Sequence, residues 1–171
     1  SRPMTDETTA MGYALNVYNI MRKEVQYFHR GVDALALLPG IPLGSVKCNI
    51  TGNDGEPLFI SENNDNNSTR QCTGLHEYQH IKDRQSCCQK AREAYRKTGS
   101  VLIIQQWSSY IRLTRDWSEC RAYEKSLSCA EKLKCKVPKD QEKWLEKYIE
   151  ESGKRKKEHC DKSTEPMSCP F

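Results

Sequence analysis

Nine cysteines stand in a chain of 171 residues: Cys48, Cys72, Cys87, Cys88, Cys120, Cys129, Cys135, Cys160 and Cys169. No two form a Cys-x-x-Cys pair, and the gaps of 9 and 6 residues among Cys120, Cys129 and Cys135 suit no zinc finger. The set therefore reads as disulfides formed in an oxidising compartment. Bridges also answer a need of the chain. Apolar residues make up 36% of it and charged residues 29%, which leaves a lean core for this length. A bridge typically contributes about 2–4 kcal/mol. An odd count leaves one cysteine free or paired to a second molecule, so a disulfide-linked homodimer is an expected option.

Geometry narrows the pairing. Cys48 and Cys72 flank a polar loop and are expected to close it. Neighbours Cys87 and Cys88 point about 100° apart on a helix, so they should staple different elements. If the helices on either side of Lys136 form a hairpin, Cys120 and Cys160 come level.

Three sequons, at Asn49, Asn66 and Asn67, fall in one Gly/Asn/Asp-rich stretch and mark it as a solvent-facing, glycosylated loop. The last two overlap, so only one of them is expected to carry a glycan. The sequence starts at Ser1 without a leader, as expected of a processed form of a protein made with a signal peptide. No stretch approaches the ~18 apolar residues that span a bilayer. The expected location is secreted or on the outer face of the plasma membrane. A net charge of +4 does not call for a nucleic-acid partner.

Hydrophobic spacing predicts a mainly α, disulfide-stapled bundle of about four helices in one domain, residues 1–171. Met11, Ala14, Tyr18, Met21, Val25, Phe28, Val32 and Leu35 form a stripe at helical spacing over residues 5–38, ended by Pro39-Gly40. Between this first helix and the second, residues 39–73 form the decorated loop with a small β-hairpin, from the alternation of Val46, Cys48 and Ile50 and the run Leu58-Phe59-Ile60. The second helix is expected over residues 75–97, stopped by Gly99. The third is capped by Ser100 and could run to Lys134, and the fourth starts near Pro138. Residues 161–171 form an irregular tail tethered by Cys169.

One motif raises specific chemistry. His76-Glu77-Tyr78-Gln79-His80 matches H-E-x-x-H and resembles the active-site helix of zincin metalloproteases. Residues four apart share a helix face, so the resemblance implies that His76 and His80 ligate zinc and Glu77 is the general base of peptide hydrolysis. The metzincin extension is excluded, because Asp83 and Ser86 stand where a glycine and a third histidine are required. The gluzincin pattern takes its third ligand from a later helix. A hairpin about Gly99 sets residues 118–122 opposite the two histidines, which makes Glu119 the candidate, with Asp116 one turn away. A di-iron centre is less favoured than zinc, since it needs two Glu-x-x-His pairs and only Glu77/His80 is present. Cys87-Cys88 does not open a phospholipase A2 helix either: Ala91 and Arg92 hold its His and Asp positions.

With no further catalytic signature in view, sequence alone favours a non-enzymatic extracellular protein, a ligand, receptor ectodomain or host-directed effector, that binds a protein partner and needs no cofactor. The alternative is a small secreted zinc metalloprotease using His76, His80, Glu77 and Glu119. A lipid-binding helical protein comes third. Lys154-Arg155-Lys156-Lys157 is a basic run suited to glycosaminoglycan contact or to favourable interaction with a helix C-terminus.

Overall fold

The computed structural model describes residues 43–51, 59–63 and 65–171. The helix expected over residues 5–38 and the turn at Asn53-Asp54-Gly55 lie outside them. Within them the chain is a helical bundle with a short ribbon on one side. Strands β1 (Gly44–Cys48) and β2 (Phe59–Asn63) pair antiparallel, Gly44 opposite Asn63 and Cys48 opposite Phe59. Helices follow at α1 (Arg70–Thr98), α2 (Val101–Leu113), α3 (Arg115–Glu131) and α4 (Glu142–Lys162), the last entered through one 3-10 turn at Lys139–Gln141. None of these helices is long and apolar enough to cross a membrane.

Helix α1 is the centre of the molecule. Residues 72 to 80 are buried without interruption, which on a 3.6-residue period means burial on every side. The ribbon covers part of it: Val46, Cys48 and Ile50 pack with Ile81, Cys87, Cys88 and Ala91, joined by Trp107 and Tyr110 of α2. A second cluster gathers Cys72, Ala130, Leu145 and Tyr148 where α1, α3 and α4 meet.

The helix begins five residues before the expected Leu75, because its entry is held by polar groups that apolar periodicity cannot register. The carboxylate of Asp65, fully buried, accepts from the Asn67 N–H (2.9 Å), the Thr69 hydroxyl (2.6 Å) and the Thr73 hydroxyl (2.9 Å). Trp144 Nε1–H donates to Thr69 Oγ1 at 2.7 Å, and the Tyr148 hydroxyl pairs with Thr73 Oγ1 at 2.9 Å. The first turn of α1 is thereby tied to the first turns of α4. Burial pushes the Asp65 carboxyl up against these hydrogen bonds, which favour its charged form.

This geometry separates the overlapping sequons. Asn66 is exposed, whereas Asn67 Nδ2 is buried and Asn67 lies within the Asp65 turn, its N–H donating to Asp65 Oδ1. A glycan on Asn67 would have to displace that turn. In protein secreted from glycosylating cells, Asn66→Gln is expected to remove the glycan of the overlapping pair, leaving any at Asn49, while Asn67→Gln keeps it, as intact-mass analysis with and without N-glycosidase will show.

Gly99 ends α1 in the left-handed region (φ 61°), its N–H donating to Tyr95 O at 2.7 Å, and Ser100 Oγ caps α2 by accepting from Leu102 N–H. The expected single helix from Ser100 to Lys134 is in fact two. Thr114 breaks it: its hydroxyl donates back to Tyr110 O at 2.7 Å, its φ/ψ of −99°/7° leave the helix, and α3 starts one residue later. A back-bonding threonine bends a helix by competing for the carbonyl of the preceding turn. Arg84 of α1 supports the break by donating from Nη2 to Ile111 O at 3.5 Å. After Glu131 the chain turns through Cys135, which has φ 64° and an exposed, unbridged thiol.

Four disulfides lock the arrangement: Cys48–Cys88, Cys72–Cys129, Cys87–Cys169 and Cys120–Cys160. Cys48 and Cys72 do not close the loop between them. Cys72 lies inside α1 facing α3, and the ribbon carries Cys48 onto the middle of α1 beside Cys88. Cys87 and Cys88 do staple different elements, the tail and the ribbon, and Cys120–Cys160 joins α3 to α4. The basic run is not at a helix end either. Since α4 continues to Lys162, the cations of its last turn are His159 and Lys162, and Lys154 to Lys157 lie beyond the reach of the terminal dipole. All four disulfides fit an oxidising compartment.

Candidate metal centre

Burial of α1 takes two imidazoles and a carboxylate out of water, which is costly unless they are paired or bind a metal. His76, Glu77 and His80 are 9%, 4% and 7% exposed. The four-residue spacing puts both rings on the face that meets α3, and their Nε2 atoms approach to 3.2 Å. Glu119, one turn into α3, closes the group. Its Oε2 lies 3.4 Å from His76 Nε2 and its Oε1 3.4 Å from His80 Nε2. Among the described residues these three are the group of His, Cys, Asp or Glu side chains able to share an ion.

The spacing can be tested against a metal. For zinc, bonds of about 2.0–2.1 Å to His N and carboxylate O in a tetrahedron imply ligand–ligand edges of about 3.3–3.4 Å. The two imidazole nitrogens, 3.2 Å apart, match one such edge, and each has a different Glu119 oxygen at 3.4 Å; with one atom taken from each residue the three lie within 4.8 Å of one another, so an ion would draw the carboxylate in. Two His and one Glu is a donor set that would leave a zinc ion one further position, as catalytic zinc requires. Glu77 stands beside the same nitrogens, with Oε1 3.9 Å from His76 Nε2.

The ring nitrogens turned away from the centre are also held. His80 Nδ1 is 2.8 Å from Ser118 Oγ and His76 Nδ1 is 3.4 Å from Ser126 Oγ. With Nε2 committed to a metal, each Nδ1 carries the proton and donates to its serine, which fixes tautomer and ring plane. Both serines, like Glu119, come from α3, so one helix supplies the carboxylate and both hydroxyls that hold the imidazoles. Tyr123 of α3 packs its ring edge-on against His76, with centroids 4.5 Å apart. Arg121 reinforces the α1–α3 seam: it bridges Asp83 at 3.1 Å and lies over the Trp117 ring at 5.2 Å. Ser118→Ala is expected to weaken zinc binding about 10–100-fold while the fold persists, measured by competition with a fluorescent chelator.

Electrostatics agree with the geometry. The two histidines hold the Glu119 carboxyl well below the usual range, against the effect of its own burial. For His76, burial pulls the pKa down, but the hydrogen bond it donates to Glu119 and the fields of Glu77 and Glu119 outweigh it, so the net direction is up. Burial pushes Glu77 up, opposed by both histidines, which makes it a better proton acceptor than a surface carboxylate. Burial also holds the Tyr123 phenol protonated, up to about 12, assisted by Glu119 and Glu77.

Asp116, the other carboxylate near in sequence, is not in this centre. It takes His159 Nδ1 at 2.8 Å. Lys82, just past the motif, is exposed. No motif or spacing in the sequence points to Ser118, Ser126 or the place of Tyr123 beside His76. The 118/126 pair flanking Glu119 is visible only once the rotation of α3 is known. No family model, curated protein or solved structure matches the chain.

Proposed function

We propose that the chain is a zinc-dependent hydrolase of peptide bonds, acting outside the cytosol, with His76, His80 and Glu119 as ligands and Glu77 as general base. One observation carries the reading: two histidines of an H-E-x-x-H helix and a carboxylate from a facing helix bring one ligand atom each to within 4.8 Å of one another, with the motif glutamate beside them. A zinc ion held by these residues would supply a Lewis acid for an attacking water and the substrate carbonyl. The chain's own residues do the rest. Glu77 orients the attacking water, takes its proton and passes it to the leaving amine. Ser118 and Ser126 keep the imidazoles in register, and Cys72–Cys129 and Cys120–Cys160 hold α3 against its neighbours.

The test is cleavage of a mixed-sequence quenched peptide library, read by fluorescence and by mass spectrometry of the new termini. Cleavage is expected to be blocked by 1,10-phenanthroline and restored by added zinc. Absence of cleavage by protein shown to hold zinc would sink the peptidase reading. A different surface supports binding of a protein partner: α2 leaves Val101, Leu102 and Leu113 more than 60% exposed (64%, 61% and 63%). Such a surface can coexist with a hydrolase as a docking face. Cross-linking to a partner that Leu102→Glu abolishes is the expected sign of it.

A further inference from the structure

We propose that Asp65 is a positioning residue for this centre. Through three buried hydroxyls it fixes the direction of the hydrogen bonding at the His76 ring and so reserves Nε2 for the metal. This rests on the metal reading of His76. The links are continuous and cross three helices. His76 Nδ1 of α1 lies 3.4 Å from Ser126 Oγ of α3. Ser126 is hydrogen-bonded to the phenol of Tyr148 on α4. The Tyr148 hydroxyl returns to α1, meeting Thr73 Oγ1 at 2.9 Å, and Thr73 Oγ1 donates to Asp65 Oδ2 at 2.9 Å. Asp65, Thr73, Ser126 and Tyr148 are all buried, so the line runs from the metal group to a carboxylate without passing through solvent.

A hydroxyl has one proton to give, so a chain of hydroxyls has a direction. Asp65 sets it here. Its Oδ1 accepts from the Asn67 N–H, and its Oδ2 accepts from the Thr69 and Thr73 hydroxyls. Thr69 Oγ1 also takes Trp144 Nε1–H, and an indole only donates, so the Thr69 proton goes to Asp65. The ionised carboxylate satisfies all these contacts at once. With Thr73 donating to Asp65, Tyr148 donates to Thr73. Burial pushes the Tyr148 phenol up, so it keeps the proton that this requires. Ser126 then donates to Tyr148 or to Tyr123 O, 3.3 Å away. Either way a Ser126 lone pair faces His76, and Nδ1 carries the proton. Nε2, beside His80 Nε2 and Glu119 Oε2, is the nitrogen left to ligate an ion.

Removing the charge removes the direction. In Asp65→Asn the side-chain amide can donate to Thr73. Thr73, Tyr148 and Ser126 can then turn over in sequence, so that Ser126 donates to His76 Nδ1. The ring proton is thereby favoured on Nε2, the place an ion would take.

The zinc affinity of the full chain, measured by competition with a fluorescent chelator, tests the relay in two backgrounds. Asp65→Asn is expected to weaken zinc binding about tenfold in the otherwise wild-type chain. With Ser126→Ala already present the line is cut beside His76, and adding Asp65→Asn is expected to change affinity by no more than about twofold. A purely structural role for Asp65 gives the same loss in both backgrounds. That result overturns the proposal, as does wild-type affinity in Asp65→Asn. If Asp65→Asn does not fold, Thr73 takes its place. Thr73→Ser keeps the hydroxyl and is expected to bind zinc as wild type does, whereas Thr73→Val is expected to bind about tenfold more weakly. Equal affinities for these two variants overturn the proposal. A wild type that takes up no zinc defeats the metal reading and this proposal together. Zinc binding that is indifferent to Asp65 and Thr73 defeats this proposal alone.

Discussion

Glu77→Gln is expected to lower kcat by about 10²–10⁴-fold and to leave zinc bound at one ion per chain. Glutamine preserves the shape and much of the hydrogen bonding but cannot accept a proton. The carboxylate is not a member of the candidate ligand group: it stands 3.9 Å from His76 Nε2, while Glu119 has one oxygen 3.4 Å from each ring. Its removal should also lessen the buried negative charge in the metal-free protein. Burial raises the Glu77 pKa, so ionised Glu77 costs stability that neutral Gln does not. The variant is therefore expected to be at least as stable as wild type by thermal denaturation. An inactive but stable, zinc-loaded protein is what a general base predicts. An inactive protein that has lost zinc would instead place Glu77 among the ligands.

The second large effect is the pH dependence of the metal. In the metal-free protein His76 has a raised pKa, so a proton occupies the place of the ion and must leave on binding. Glu119 is held low and stays ionised throughout. Zinc affinity should therefore be flat above the folded pKa of His76, which lies above the ordinary value of about 6.5, and fall about tenfold per pH unit below it. Stability of the metal-free form runs the other way. Groups with raised folded pKa values, here His76 and Glu77, contribute stability that is complete below their unfolded values and lost as pH rises through the folded ones. Glu119, with a depressed value, contributes above its unfolded pKa and loses this only at strongly acid pH. From pH 6 to 8.5 the metal-free protein is expected to lose Tm while the zinc-loaded protein does not. The Tm gain from zinc should widen with pH. A gain that is constant or shrinks across that range would contradict the assignment of His76 as a ligand.

Much of this centre was accessible from spacing alone. A four-residue step between two histidines is a statement about one helix face, and the Gly99 stop with its Ser100 cap is a statement about chain reversal. The hairpin register set residues 118–122 opposite the histidines, and Glu119 lies there in the structure. Other features depended on tertiary packing. Thr114 splits the long helix because its hydroxyl finds Tyr110 O and Arg84 finds Ile111 O, neither of which a hydrophobic pattern registers. That break sets the rotation of α3, and with it the positions of Ser118, Tyr123 and Ser126. The disulfide partners of Cys48 and Cys72 depended on where the ribbon crosses α1. The early start of α1 depended on a buried aspartate and two threonines. Polar interiors of this kind carry no apolar period, and here they surround the chemistry.

The most direct test of the central claim is the zinc content of protein secreted from cells, purified without metal-affinity resin and analysed by inductively coupled plasma mass spectrometry. The structure predicts one zinc per chain in the wild type and in Glu77→Gln, and almost none in His80→Ala or Glu119→Ala with the fold intact by circular dichroism. A wild type that stays metal-free after equilibration with equimolar zinc at pH 8, or a His80→Ala variant that keeps its zinc, would contradict it.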